Sequence, residues 1–145
     1  MSGPDYQKTR IYRWEDAFVG PRDPTVVAFP AAQAFVDAIW ADQGLLHPPA
    51  VVRLSRRNTT AQAMADRLSV HIRDTCPSWV LLHELAHSMT TAHDGKGDGH
   101  GPRFMGVYAR MLERYLRIPM AETVASLPGA MIGIDPGARP SFLDG

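Results

Sequence analysis

Residues 75–91, TCPSWVLLHELAHSMTT, impose the strongest constraint on any fold this chain can adopt. Trp79, Val80, Leu81, Leu82, Leu85, Ala86 and Met89 leave so little polar surface that a helix here must be buried, with Pro77 suited to its first turn. Yet the same helix carries His83, Glu84 and His87, groups that are expensive to place among apolar side chains without partners. The helix belongs in the core, and its polar side chains need a purpose there.

Side chains four apart on a helix have β-carbons about 5–6 Å apart, so His83 and His87 can offer imidazole nitrogens to one ion. Glu84 lies about 100° round the axis from His83, where it flanks such an ion instead of ligating it. In an H-E-x-x-H arrangement this carboxylate is the general base that takes a proton from a water on the metal. Zinc suits nitrogen donors, and three protein ligands leave a fourth position for water.

The third ligand is open at this point. His93 follows His87 by six residues, about 600° of helix, and so faces roughly 120° away from it. Thr90-Thr91-Ala92 offers no glycine to break the helix first. His100 has better local logic: Gly101 can cap and Pro102 can start a following helix, while Gly95, Gly97 and Gly99 let the connecting backbone turn tightly. A carboxylate such as Glu113 is the remaining alternative. Asp94 and Asp98 either orient a ligand histidine through its second nitrogen or are solvated loop carboxylates. DGKGDG is not a calcium loop, because Lys96 and Met105 stand where oxygen ligands are required.

The rest of the chain reads as a small α+β domain. RIYRW, residues 10–14, has the composition of an edge strand, and VGPRDPT is a loop rich in breakers. FPAAQAFVDAIWADQG reads as a helix with Pro30 in its first turn, Phe35, Ile39 and Trp40 on one face, and Gly44 at its end. Residues 50–54 and 68–73 read as strands, the second alternating Leu68, Val70 and Ile72 against polar neighbours. An antiparallel pairing of these two is expected, within a small antiparallel or mixed sheet that has a third strand near 61–66 and packs on the histidine-bearing helix and the amphipathic helix after it. PRFMGVYARMLERYLRI is amphipathic, burying Phe104, Val107, Tyr108, Met111 and Tyr115. A short last helix is expected at 119–127, so the domain is taken as 1–127 with a loose tail over 128–145.

HELAH followed by HGPRF resembles the SprT-like, or Spartan-type, zinc metalloproteases, through His83, Glu84, His87, His100, Gly101, Pro102 and Phe104. Short bacterial and phage-borne H-E-x-x-H metallohydrolases are similar too. The resemblance implies a minimal zincin-like fold, zinc on His83, His87 and His100, and Glu84 as the catalytic group. It extends in layout over about residues 30–117, although its specific motifs occupy only 83–104. Relatives that act on DNA-linked protein often add a cysteine zinc ribbon, and Cys76 is the only cysteine here.

The expected activity is zinc-dependent hydrolysis, of peptide bonds first and of a small amide as an alternative. A non-catalytic zinc-stabilised interaction domain is the reading from another class. The expected partner is a peptide or protein substrate. Nucleic acid would have to meet Arg53, Arg56, Arg57 and Arg73, but 15 basic and 15 acidic residues cancel and favour a solvated face. A polar N-terminus and the lack of a long apolar run point to a cytoplasmic protein with no membrane contact. His71 and Arg73 are candidates to line the cleft, Tyr108 and Tyr115 to stabilise an oxyanion, each against an ordinary structural role. Cys76 reads as a small buried residue.

Overall fold

The computed structural model describes residues 7–92 and 94–140, which form an α+β arrangement. RIYRW is helical and not an edge strand: α1 spans Lys8–Trp14 and continues through a π-helical turn, Glu15–Val19, and a 3-10 turn, Gly20–Arg22. The spacing explains the correction. Ile11, Glu15 and Val19 stand four apart, Trp14 lies three from Ile11, and all are buried while Tyr12 and Arg13 remain outside. The aromatic and branched residues that suggested a strand are packed at the helical period.

A two-stranded ribbon comes next, assembled across the sequence. β1, Val26–Ala28, pairs antiparallel with β5, Thr75–Pro77, placing Val27 opposite Cys76. Helix α2, Phe29–Asp42, carries Pro30 in its first turn and buries Ala32, Val36, Ile39 and Trp40, with Phe35 half-buried. It ends before Gly44, whose φ of +77° few other residues adopt cheaply.

The second sheet is mixed. β2, Ala50–Arg53, and β3, Ala63–Ala65, flank β4, Ser69–Ile72, which is parallel to β2 and antiparallel to β3. The antiparallel pairing expected of the first and last strands is therefore corrected. The chain runs out along β2, returns along β3, and a tight turn inserts β4 between them. Asp66 builds that turn by accepting the N–H groups of Leu68 (2.9 Å) and Ser69 (2.8 Å). Leu68 is consequently 59% exposed, whereas Val70 and Ile72 are fully buried.

Helix α3, Ser78–Thr90, runs through the centre with Leu81, Leu82, Leu85, Ala86 and Met89 completely inaccessible, as its composition demands. It packs on α4, Pro102–Leu116, which buries Phe104, Val107, Tyr108 and Met111, while Tyr115 is half-buried at the far end. Helix α5, Met120–Ala130, runs past the boundary expected at 127. Ile132 and Ala138 then lie on the core, and the Asp135 N–H donates to the Pro102 carbonyl at 3.0 Å. No helix among the described residues is long and apolar enough to cross a membrane.

Gly106 allows that final approach, since a β-carbon there would lie 1.8 Å from the Asp135 carbonyl oxygen. Gly129, near the end of α5, has nothing within 4 Å of the same construction. Gly106→Ala should therefore destabilise the protein by about 1–3 kcal/mol through overpacking. Gly129→Ala should stabilise it by about 0.5–1 kcal/mol by restricting the unfolded chain. Urea midpoints of the two variants check the opposite signs.

Candidate metal centre

The rotation of α3 is set at its start. Asp23, buried in the loop before β1, accepts the Trp79 N–H at 3.0 Å and is itself held by the Thr25 N–H and hydroxyl. The Ser78 hydroxyl lies 2.7 Å from Thr25 Oγ1 and donates to it, since the Thr25 hydrogen is committed to Asp23. A carboxylate at a helix N-terminus satisfies donors the helix cannot and complements its dipole. That anchoring fixes the rotation at which α3 presents His83 to the N-terminal helical segment.

His83 meets Glu15 there. Its Nδ1 donates to Glu15 Oε2 at 2.6 Å, and the same oxygen accepts the Tyr108 hydroxyl at 2.7 Å. With the Nδ1 hydrogen committed, a neutral His83 turns the lone pair of Nε2 inward. Burial first, and then the nearness of His83, His100 and Lys8, which would repel a proton there, hold the His87 imidazole well below its ordinary pKa. Neutral imidazole is the form that coordinates a metal.

His100 arrives from the loop. Gly99 takes φ +62°, and Gly97 passes so close to the end of α3 that a β-carbon would lie 2.5 Å from the Thr90 carbonyl oxygen. Asp98 then caps α4 by accepting the N–H groups of Arg103 (2.7 Å) and Phe104 (3.3 Å). Gly101 leaves room for that carboxylate, which a β-carbon would meet at 2.6 Å. From the other side Gln7 donates to the His100 carbonyl at 2.9 Å.

His83, His87 and His100 thus converge. His100 Nε2 lies 3.1 Å from His83 Nε2 and 3.0 Å from His87 Nε2, and suitable ligand atoms of all three fall within 4.8 Å of one another. Two nitrogens on one zinc at about 2.0–2.1 Å in tetrahedral geometry would be about 3.3 Å apart. Because His83 Nε2 presents a lone pair, every neutral arrangement of the other two hydrogens leaves one nitrogen contact unsatisfied. A cation among them removes the conflict, so the donor set fits a metal. Phe104 forms the apolar floor, its ring 4.9, 4.4 and 5.1 Å from those of His83, His87 and His100. Tyr12 covers His83 and His100 at 6.0 and 5.3 Å.

Glu84 points elsewhere, into an adjoining cleft of ≈ 300 Å³ that it lines with His83. It is 7% exposed and has no hydrogen bond or ion pair among the described residues. Burial pushes its carboxyl up to about 7, His83 opposing and Glu15 adding to the shift.

Other candidates fall away from this centre. His93 lies outside the described residues. Glu113 is absent from the cluster and accepts the Met120 N–H at 2.7 Å, joining α4 to α5. Asp94 accepts the Lys96 N–H within its own loop, and Asp98 acts on α4 backbone, so neither orients a ligand ring. Tyr108 is wholly buried, its hydroxyl bonded to Glu15 instead of solvated, and Tyr115 donates to Asp42 far from the histidines.

The cleft-side strand is β3, with β4 at the sheet's centre, so His71 and Arg73 do not line the cleft. His71 lies 3.1 Å from Ser69 Oγ; Arg73 donates to the carbonyls of Asn58 and Ala61 at 2.7 Å each. Arg53 pairs with Asp74 and stacks on Phe29, while Arg56 and Arg57 are exposed. Burial pushes the Cys76 thiol up to about 12. Compared with protein-family models, curated proteins and solved structures, the chain matches none of them.

Glu15, Asp23 and Gln7 are the supports that motif reading missed. Only the Ile11-x-x-x-Glu15 spacing on a helix could have exposed the first of them.

Metal binding tests the centre directly. The protein should bind one equivalent of zinc, His100→Ala should abolish stoichiometric binding, and Glu15→Gln should weaken it about 10–100-fold; calorimetry against a competing chelator measures both. For Cys76, the native protein at pH 8 should not react with Ellman's reagent, whereas the unfolded chain should release one equivalent.

Proposed function

We propose that this protein is a zinc-dependent hydrolase cleaving peptide bonds, as its resemblance to the SprT-like proteases also suggests. The observation that carries the reading is a nearly buried carboxylate, Glu84, without a hydrogen bond or ion pair among the described residues, beside three imidazoles that converge through Nε2. A purely structural site has no need of such a base on an open cleft.

His83, His87 and His100 would hold the zinc through those nitrogens. When bound, the metal supplies a Lewis acid for the scissile carbonyl and for the attacking water. Glu84 takes one proton from that water at a carboxylate oxygen as the new carbon–oxygen bond forms. It then delivers the proton to the leaving nitrogen as the carbon–nitrogen bond breaks. Glu15 keeps the His83 ring in one orientation and one tautomer throughout.

The substrate would lie extended along the cleft. Among the described residues β3 pairs only with β4, and its outer edge faces the cleft through Ala63. Strand addition at such an edge holds a peptide by main-chain hydrogen bonds, which suits unstructured protein and is indifferent to most side chains.

Glu84→Gln should retain its equivalent of zinc and lose at least about 10²-fold in cleavage of an unfolded protein, consistent with removal of a general base. Unchanged turnover would refute this role. A wild-type protein full of zinc and inert towards peptides and small amides would instead point to an interaction domain.

A further inference from the structure

The cleft beside Glu84 has walls of two characters. Trp79, Val80, Ala61 and Ala63 make it apolar, and Glu15, Asp16 and Glu84 make it acidic. No lysine or arginine lines it. Glu15 is already engaged with His83 and Tyr108. Asp16 is exposed and, like the nearly buried Glu84, has no hydrogen bond or ion pair among the described residues.

We infer that this cleft selects a lysine or arginine side chain next to the bond to be cut, with Asp16 meeting its cationic head. The inference rests on the hydrolase reading above. A long alkyl stem with a charged tip matches an apolar wall ending in a carboxylate, because the stem can be buried while the head stays paired and partly wet. A side chain of glutamate would bring a second negative charge beside Asp16, and a leucine would leave Asp16 without a partner.

The nearby cations face other tasks. Arg73 is spent on the carbonyls of Asn58 and Ala61. Lys8 sits 5.9 Å from the centroid of the Tyr12 ring and does not line the cleft. Arg13, one turn before Asp16, lines a separate groove with Arg10 and Arg22. Asp16 is thus left as the group that sets the sign of the charge a ligand meets at this rim.

Three fluorescein-labelled, otherwise identical glycine- and serine-rich peptides carrying one lysine, norleucine or glutamate test the inference. Their binding is read by anisotropy on zinc-loaded Glu84→Gln, where turnover is silenced. The lysine peptide should bind about tenfold more tightly than norleucine, with glutamate weaker still, as expected for a partly desolvated charged hydrogen bond.

Adding Asp16→Asn should level lysine with norleucine, and adding Asp16→Lys should reverse the order of lysine and glutamate. Equal affinities, no measurable binding, or a lysine preference that survives Asp16→Lys would overturn the inference. Wild-type cleavage, mapped by mass spectrometry, separates the two claims. Charge-selective binding without cleavage refutes the hydrolase and leaves the cleft's selectivity standing. Cleavage indifferent to the three side chains does the opposite.

Discussion

One buried hydrogen bond, from His83 Nδ1 to Glu15 at 2.6 Å, joins parts of the chain that sequence order keeps 68 residues apart. Burying a carboxylate is unfavourable unless donors replace its lost water, and here a histidine and a tyrosine from two different helices provide them. The consequences are geometric. α1 and its π-helical turn must lie against α3, Tyr108 fixes the rotation of α4 against both, and His83 has only one nitrogen left to offer. The N-terminal helical segment is therefore a wall of the candidate metal centre.

Two further carboxylates act on backbone in the same way. Asp23 holds the first turn of α3, and Asp98 holds the first turn of α4. Each imposes a rotation on a helix with a candidate ligand nearby: His83 is four residues past Trp79, and His100 is three residues before Arg103. Small errors in either rotation would swing an imidazole by ångströms. The dense packing of α3 on α4, with Phe104 beneath all three rings, removes the remaining freedom.

How far this was legible varies along the chain. The buried helix, its two histidines and the glutamate could be read because period and composition act locally. His100 could be favoured because Gly101-Pro102 is a local helix start, although its cap proved to be Asp98, reaching across three residues. α1 was misread because five residues of RIYRW are too short to show a period of four until Glu15 and Val19 are added. The parallel pairing of β2 with β4 was hidden because strand alternation records which face is buried and nothing about the neighbour's direction. Glu15 was invisible for a different reason. A buried carboxylate is defined by its donors, and these come from residues 83 and 108.

The inserted position of β4 gives the site its shape. Had residues 69–72 formed the sheet's outer strand, His71 would stand at the rim and the run 60–63 would be shielded. With β4 central, the exposed edge passes to β3, three residues long and bearing small side chains at Ala63 and Ala65. Short edges limit unwanted pairing with other chains, yet this one borders the cleft that Glu84 and His83 line. For the peptide substrate proposed above, small residues at that edge would let an extended backbone approach closely, and discrimination would fall to the side-chain walls. Those walls are Trp79 and Val80 on α3 and Asp16 after α1, the same two elements that the Glu15–His83 bond locks together.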